Sequence, residues 1–167
     1  MKFPILTAVA VCTALAIGTQ AHAQQAAAPA TPPLPPTTPY GPPITLEQAM
    51  KVADGAQAEA KKRGRSMAIA IVEPSGDLVY FRRMDGTQYA SIKIAQSKAV
   101  SAALFRRDTK SFRERLAKGD MSPMALVGAV ASDGGIPIEF NGKIVGAIGT
   151  SGGPDHDVSQ AGVNALK

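Results

Sequence analysis

Residues 134–157, GGIPIEFNGKIVGAIGTSGGPDHD, constrain the fold more than any other part of the chain. Asn141-Gly142 separates two apolar runs, 136–140 and 143–149. A two-residue Asn-Gly connection favours a type I′ turn, whose central residues both need positive φ, so the runs are expected to form a tight hairpin. Phe140 then faces Lys143 and Ile138 faces Val145. Ile136, Ile138, Phe140, Val145 and Ala147 share one face; Pro137, Glu139, Ile144, Gly146 and Ile148 share the other. Both faces are apolar enough to need covering, which suits helices on either side. Pro137 has no N–H to give a ladder and belongs at an edge or a strand start.

The second run ends in Gly149-Thr-Ser-Gly-Gly-Pro154, and Val158, Ala161, Gly162, Ala165 and Leu166 then follow helical spacing from about Asp155. Such a Gly-rich turn is either a tight strand-to-helix connection or a cradle for an anion at the helix N-terminus. Asp155 and Asp157 weigh against the cradle, because negative charge is already in place. The spacing is neither a dinucleotide fingerprint nor a P-loop.

At the other end, Lys2, an apolar run to Ile17 and the small-residue pattern Ala21-His-Ala23 read as a secretory signal peptide over residues 1–23. The run is short of the roughly 20 residues that a membrane span needs. Cleavage leaves no stable membrane span and places the protein in the periplasm or outside the cell; a retained anchor is the alternative. Cys12 lies inside the apolar run and leaves with it, so the mature chain has no disulfide. Losing Lys2 from the 18 basic residues leaves 17 against 13 acidic, a net charge of +4. His156 becomes the sole histidine. Residues 24–43 are Ala, Gln, Thr and Pro, with proline at eight of twenty positions, and read as an extended linker without a core. Residues 44–167 are one domain of ordinary size. Their basic residues are scattered without interleaved aromatics, which argues against nucleic acid.

Within the domain, Thr45-Leu-Glu-Gln48 is a capping box. The helix it opens carries Leu46, Ala49, Met50, Ala53, Ala56 and Ala60 as its stripe and ends at Gly64. Residues 67–73 and 78–84 alternate as strands around the turn Pro74-Ser-Gly-Asp77. Ser91 caps a second helix to about Phe105, with Ile92, Ala95, Ala99, Ala102 and Ala103 inward and Lys98 beside them. Thr109 is the natural N-cap of a short basic helix. Residues 124–131 are open to helix, strand or one after the other; a short helix and then a strand near 128–132 is preferred. The order α-β-β-α-α-β-β-β-α predicts an α+β domain with one five-stranded antiparallel sheet covered on both faces.

Three segments carry a family resemblance: MAIAIVEPSGDLVYFRRMDG at 67–86, ASIKIAQSKAVSAALFRRDT at 90–109 and GGIPIEFNGKIVGAIGTSGG at 134–153. In this order they resemble the GlcG/HbpS-like family over nearly the whole domain from Thr45. The resemblance implies a profilin-like three-layer α/β/α fold, homo-oligomers and, for some members, exported haem-binding proteins that answer to iron or redox stress. Fold is implied more securely than function.

Candidate site residues follow. Thr109 matches the family's F-x-x-x-T position, a neighbourhood the resemblance links with haem contact; an N-cap hydroxyl explains it equally. Arg106 and Arg107 can pair with haem propionates or serve solubility. Asp85 and Lys98 match the Met-Asp-Gly and Lys-Ala motifs and can line one pocket as a pair that fixes a loop. His156 is either a haem or metal ligand or part of a solvated helix start. No second His or Cys in the mature chain completes a transition-metal site, which argues against a zinc enzyme. Ser151 is not in a G-x-S-x-G elbow. The expectation is an exported haem-binding homo-oligomer. The alternative is an enzyme or accessory protein acting on a small organic acid or aromatic catabolite.

Overall fold

A computed structural model of the protein describes residues 38–167; the expected signal peptide and the expected linker up to residue 37 lie outside the described residues. Eight regular elements follow in the order α1 Leu46–Lys62, β1 Ala68–Val72, β2 Leu78–Arg83, α2 Ala90–Phe105, α3 Lys110–Ala117, β3 Gly135–Phe140, β4 Lys143–Ser151 and α4 Asp155–Asn164. The four strands make one antiparallel sheet in the order β2-β1-β4-β3.

The capping box forms as read: the Gln48 N–H donates to Thr45 Oγ1 and the Thr45 N–H to Gln48 Oε1. The buried stripe of α1 centres on Ala49, Val52, Ala53, Ala56 and Ala60, which turns Leu46 and Met50 out to its exposed rim. Alanine dominates because α1 lies close to its neighbours. With α4 it covers one sheet face, where Met67, Ile69, Ile71, Ile136, Ile138, Val145, Ile148 and Val158 form a core. On the other face Ala95, Ala99, Ala102 and Ala103 of α2 sit on Ala68, Ala70, Val72 and Ala147. The two-sided burial inferred from the apolar strands is thereby met by helices on both sides.

The Asn-Gly hairpin is present, with φ of 51° at Asn141 and 71° at Gly142, and Phe140 pairs with Lys143. Its register then departs from expectation. Ile138 pairs with Gly146 rather than Val145, because an extra residue is accommodated between Ile138 and Glu139 on one side and Ile144 and Gly146 on the other. Ala147 is therefore on the face opposite Ile136, Ile138 and Val145. Gly146 admits this: a Cβ there would meet the Val72 carbonyl oxygen. Pro137 lies on the edge strand, as its missing N–H requires.

The fifth strand expected near 128–132 does not form, and among the described residues the sheet has four. A 3₁₀ turn, Ser122–Ala125, is followed by a chain reversal through Gly128 at φ 83°. The Val130 N–H goes to Ser101 Oγ and the Ser132 carbonyl to Thr109, so this backbone is satisfied by side chains instead of a ladder. Before the turn, the Ser122 hydroxyl and N–H, and then Arg115, hold the Asp120 carboxyl down at about 2. Val127 is 97% exposed, and Met121 and Met124 beside it are also open.

The end of the Pro-rich stretch packs on the domain. The Ile144 N–H donates to the Pro39 carbonyl, and the N–H groups of Gly41 and Ile44 donate to the carbonyls of Ile144 and Val145. These β4 positions lie beyond the reach of β1, which pairs β4 only from Ala147 onward. No helix among the described residues is long and apolar enough to cross a membrane.

Candidate functional site

Where β4 gives way to α4, the chain must turn within Gly152, Gly153 and Pro154. Asp155 organises that turn. Its Oδ1 accepts from the N–H groups of Gly152 at 3.0 Å and Gly153 at 2.9 Å. Its Oδ2 receives the Lys98 ammonium at 2.6 Å, and Lys98 Nζ also donates to the Thr150 carbonyl at 3.2 Å. Lys98 is 1% exposed. The Gly-rich turn thus does cradle an anion, and the anion is the chain's own carboxylate. Thr150 and Ser159 continue the network: Thr150 Oγ1 donates to the Asp155 carbonyl and Ser159 Oγ to that of Gly134. A buried ammonium needs such acceptors, and Lys98 has two of them, one a carboxylate.

Asp155, His156 and Asp157 diverge. Asp155 turns inward to Lys98, and Asp157 reaches back to Arg63 beside the end of α1 at 2.9 Å. His156 turns to Asp108, whose Oδ2 lies 3.1 Å from Nδ1. That distance suits an ion pair with a protonated ring, yet no hydrogen bond of proper direction joins the two. Nδ1 is buried without a hydrogen-bond partner. The ring lines an open cleft of about 380 Å³ with Arg113, Ser132, Asp133, Pro154 and Asp157. Asp108 thus stands at the buried Nδ1 of a ring that lines the cleft. Arg113 donates to Asp133 across the rim, and that bond raises the arginine pKa further above its ordinary value.

Thr109 underlies this cleft in a role different from an N-cap. Its side chain makes no capping bond to α3; the Lys110 N–H goes to Asp108 Oδ1 instead. Thr109 Oγ1 donates to the Ser132 carbonyl at 2.5 Å and accepts from the Gly135 N–H at 2.9 Å. The residue is fully buried. It is a strut between the start of α3 and the start of β3, and its hydroxyl is fully engaged.

The structure therefore gathers Lys98, Thr109 and His156 around one end of the sheet. It leaves the other candidates elsewhere. Asp85 is exposed in a separate groove with Gln57, Lys61, Arg82 and Arg83, and Lys98 meets Asp155, not Asp85. Arg106 stacks on the Tyr40 ring and Arg107 on that of Phe112, with guanidinium carbons 5.2 and 5.7 Å from the ring centroids. Neither lines the cleft. Among the described residues no three His, Cys, Asp or Glu side chains group as a metal site; the carboxylate at His156 Nδ1 is that of Asp108. Asp108 was in plain view as the acid of Arg-Arg-Asp-Thr109, but only the fold sets it against His156.

The haem degrading protein HbpS-like family matches residues 44–166. Protein GlcG of Escherichia coli K12 is 32% identical over 108 residues, covering 65% of this chain and 81% of that protein. The crystal structure of a Streptomyces reticuli HbpS double mutant is similar with a TM-score of 0.69 and 29% identity, covering 83% of this chain and 99% of that one. A crystal structure of a PduOC–haem complex shares the fold at 21% identity, with a TM-score of 0.66 and coverage of 74% and 94%. The match runs from before α1 to beyond α4, and the chain belongs to the HbpS-like family.

Proposed function

We propose that this chain is an exported haem-binding protein and that its site is the His156 cleft. The observation that carries the reading is a histidine whose Nδ1 is buried beside a carboxylate while its ring lines a cleft. Histidine ligands of metals commonly donate their other ring N–H to a carboxylate, and Asp108 lies within reach of that role at Nδ1. The family's own description supplies haem as the ligand class; the haem held by the PduOC neighbour accords with it. In this reading His156 holds the iron, and Arg113 at the rim is placed for a propionate. Thr109, with its hydroxyl engaged, shapes the wall. Bound haem would supply iron redox and ligand-exchange chemistry; the protein's part is to hold, orient and partly cover it. With no second His or Cys in the expected mature chain, haem held by His156 would be exchangeable rather than tightly fixed. The family's relation to haem leaves room for sensing, storage or protection in iron and redox stress.

Haemin titrated into the mature protein should give a saturable Soret change. His156→Ala should shift that band and weaken binding on the order of tenfold or more, while leaving the thermal midpoint nearly unchanged. A spectrum that remains that of free haemin at every protein concentration sinks the haem reading. It would promote a small organic acid as ligand, which one observation favours: the cleft of a single chain is near the lower end of ligand-pocket volumes and presents an arginine.

Export rests on the N-terminal pattern, and assembly on the exposed Met121, Met124 and Val127 after α3, an apolar patch suited to a second copy. Intact mass with light scattering on the exported protein should give a chain beginning near Gln24 and a dimer or larger. A full-length chain, or a monomer at micromolar concentration, refutes the respective half.

A further inference from the structure

We infer that Tyr40, in the strap that precedes the family-matched domain, is a positioning residue for the His156 cleft; the link to haem rests on the reading above. The strap is seated by backbone hydrogen bonds from Ile144 to Pro39 at 2.9 Å, Gly41 to Ile144 at 2.8 Å and Ile44 to Val145 at 2.7 Å. This places the Tyr40 side chain at the C-terminal end of α2. Its hydroxyl donates to the carbonyls of Ala103 at 2.8 Å and Leu104 at 3.1 Å. A helix end leaves such carbonyls short of donors, and the single hydroxyl proton of Tyr40 is shared between two of them here; the Ala103 carbonyl also accepts the Arg106 N–H. The same ring lies under the Arg106 guanidinium.

Arg106 is the residue that most needs holding. It ends α2 in the left-handed region, with φ 51° and ψ 41°. A non-glycine residue stays there only when its surroundings impose the conformation. The reversal sends the chain directly into Arg107, Asp108 and Thr109. Asp108 stands behind the His156 ring, and Thr109 ties Ser132 of the cleft to the start of β3. Tyr40 therefore acts through the α2–α3 turn: it fixes Arg106, and Arg106 fixes where Asp108 meets His156. The family match starts at residue 44, so this contact is made by sequence outside it.

The test follows the His156 imidazole proton resonances at fixed pH in the full-length, ligand-free protein, assigned with a His156→Gln control, alongside haemin titration. Tyr40→Ala is expected to move the His156 resonances and weaken haemin binding by about tenfold, the lower end of what outer-shell partners contribute to a bound metal. Tyr40→Phe, which keeps the ring on Arg106 and loses the hydroxyl, gives a smaller change in the same direction. Arg106→Gly added to Tyr40→Ala should return the resonances toward the parent position, since glycine takes the left-handed conformation without support. Resonances, not affinity, decide that arm, because glycine also removes the Arg106 charge. Unmoved His156 resonances in a folded Tyr40→Ala protein overturn the proposal, as does failure of Arg106→Gly to restore them. If Tyr40→Ala does not fold, unmoved resonances in Tyr40→Phe overturn it equally. A parent protein that binds no haemin ends the haem reading, while the resonances still decide the role of the strap.

Discussion

Lys98→Met is expected to lower the stability of the folded chain by about 3 kcal/mol or more, the range for removing one partner of a buried ion pair. The size follows from what remains. Methionine replaces the aliphatic stem well but gives the Thr150 carbonyl and Asp155 Oδ2 no donor, and the side chains of both pair members are largely removed from water. An orphaned carboxylate beside the sheet is costlier than the lost attraction itself. Adding Asp155→Asn should recover part of the loss, since the amide oxygen can still accept from the Gly152 and Gly153 N–H groups while the charge is gone. The double variant should thus be less destabilised than the sum of the singles, which a double-mutant cycle reads directly. Urea unfolding at one fixed protein concentration gives all four values; the concentration matters because assembly would add to apparent stability. A Lys98→Met midpoint indistinguishable from the parent would show that the ammonium is not the keystone of the Gly-rich turn.

How far the sequence foretold this arrangement depends on whether a feature is local. The Thr45 capping box and the Asn141-Gly142 turn each rest on a few neighbouring residues with fixed backbone demands, and both form as read. The register beyond the turn does not, because it depends on β4 lying against the Val72 backbone at Gly146, a contact made across 74 positions of chain that no short-range pattern reports. Lys98 beside the alanine stripe left its ammonium either to snorkel out to water or to meet a partner. Choosing between Asp85 and Asp155 required knowing that α2 lies across β4 and not over the β2 end. Thr109 had a local explanation as a cap, and that was the trap: the hydroxyl serves Ser132 and Gly135 instead. The apolar segment before β3 matched a strand in composition, yet Gly128 and the side-chain partners of its backbone gave it another way to satisfy its polar groups. Tyr40 was lost within a proline-rich composition that reads as a linker and does not single out the one side chain that docks.

The other large effect belongs to Gly149. A Cβ at this position would collide with the Ala95 carbonyl oxygen and the Ala99 N of α2. These are backbone atoms of a hydrogen-bonded helix, so no rotamer change relieves the overlap. Gly149→Ala must instead push α2 away from β4 or bend the strand, at about 3 kcal/mol, the upper part of the range for overpacking a core. The displacement bears on the site as well as on stability, since α2 carries Lys98 and ends at the turn that delivers Asp108 and Thr109. Haemin binding should therefore weaken in Gly149→Ala even below its melting transition. Gly153→Ala is the matched control four residues on. Its Cβ would meet only the flexible Arg65 side chain, and its N–H to Asp155 is retained. That variant should melt close to the parent, within the roughly 0.5 kcal/mol usual for surface changes. Equal midpoints for the two variants would mean that α2 does not rest directly on Gly149, and the close alanine-lined packing of helix on sheet would have to be abandoned.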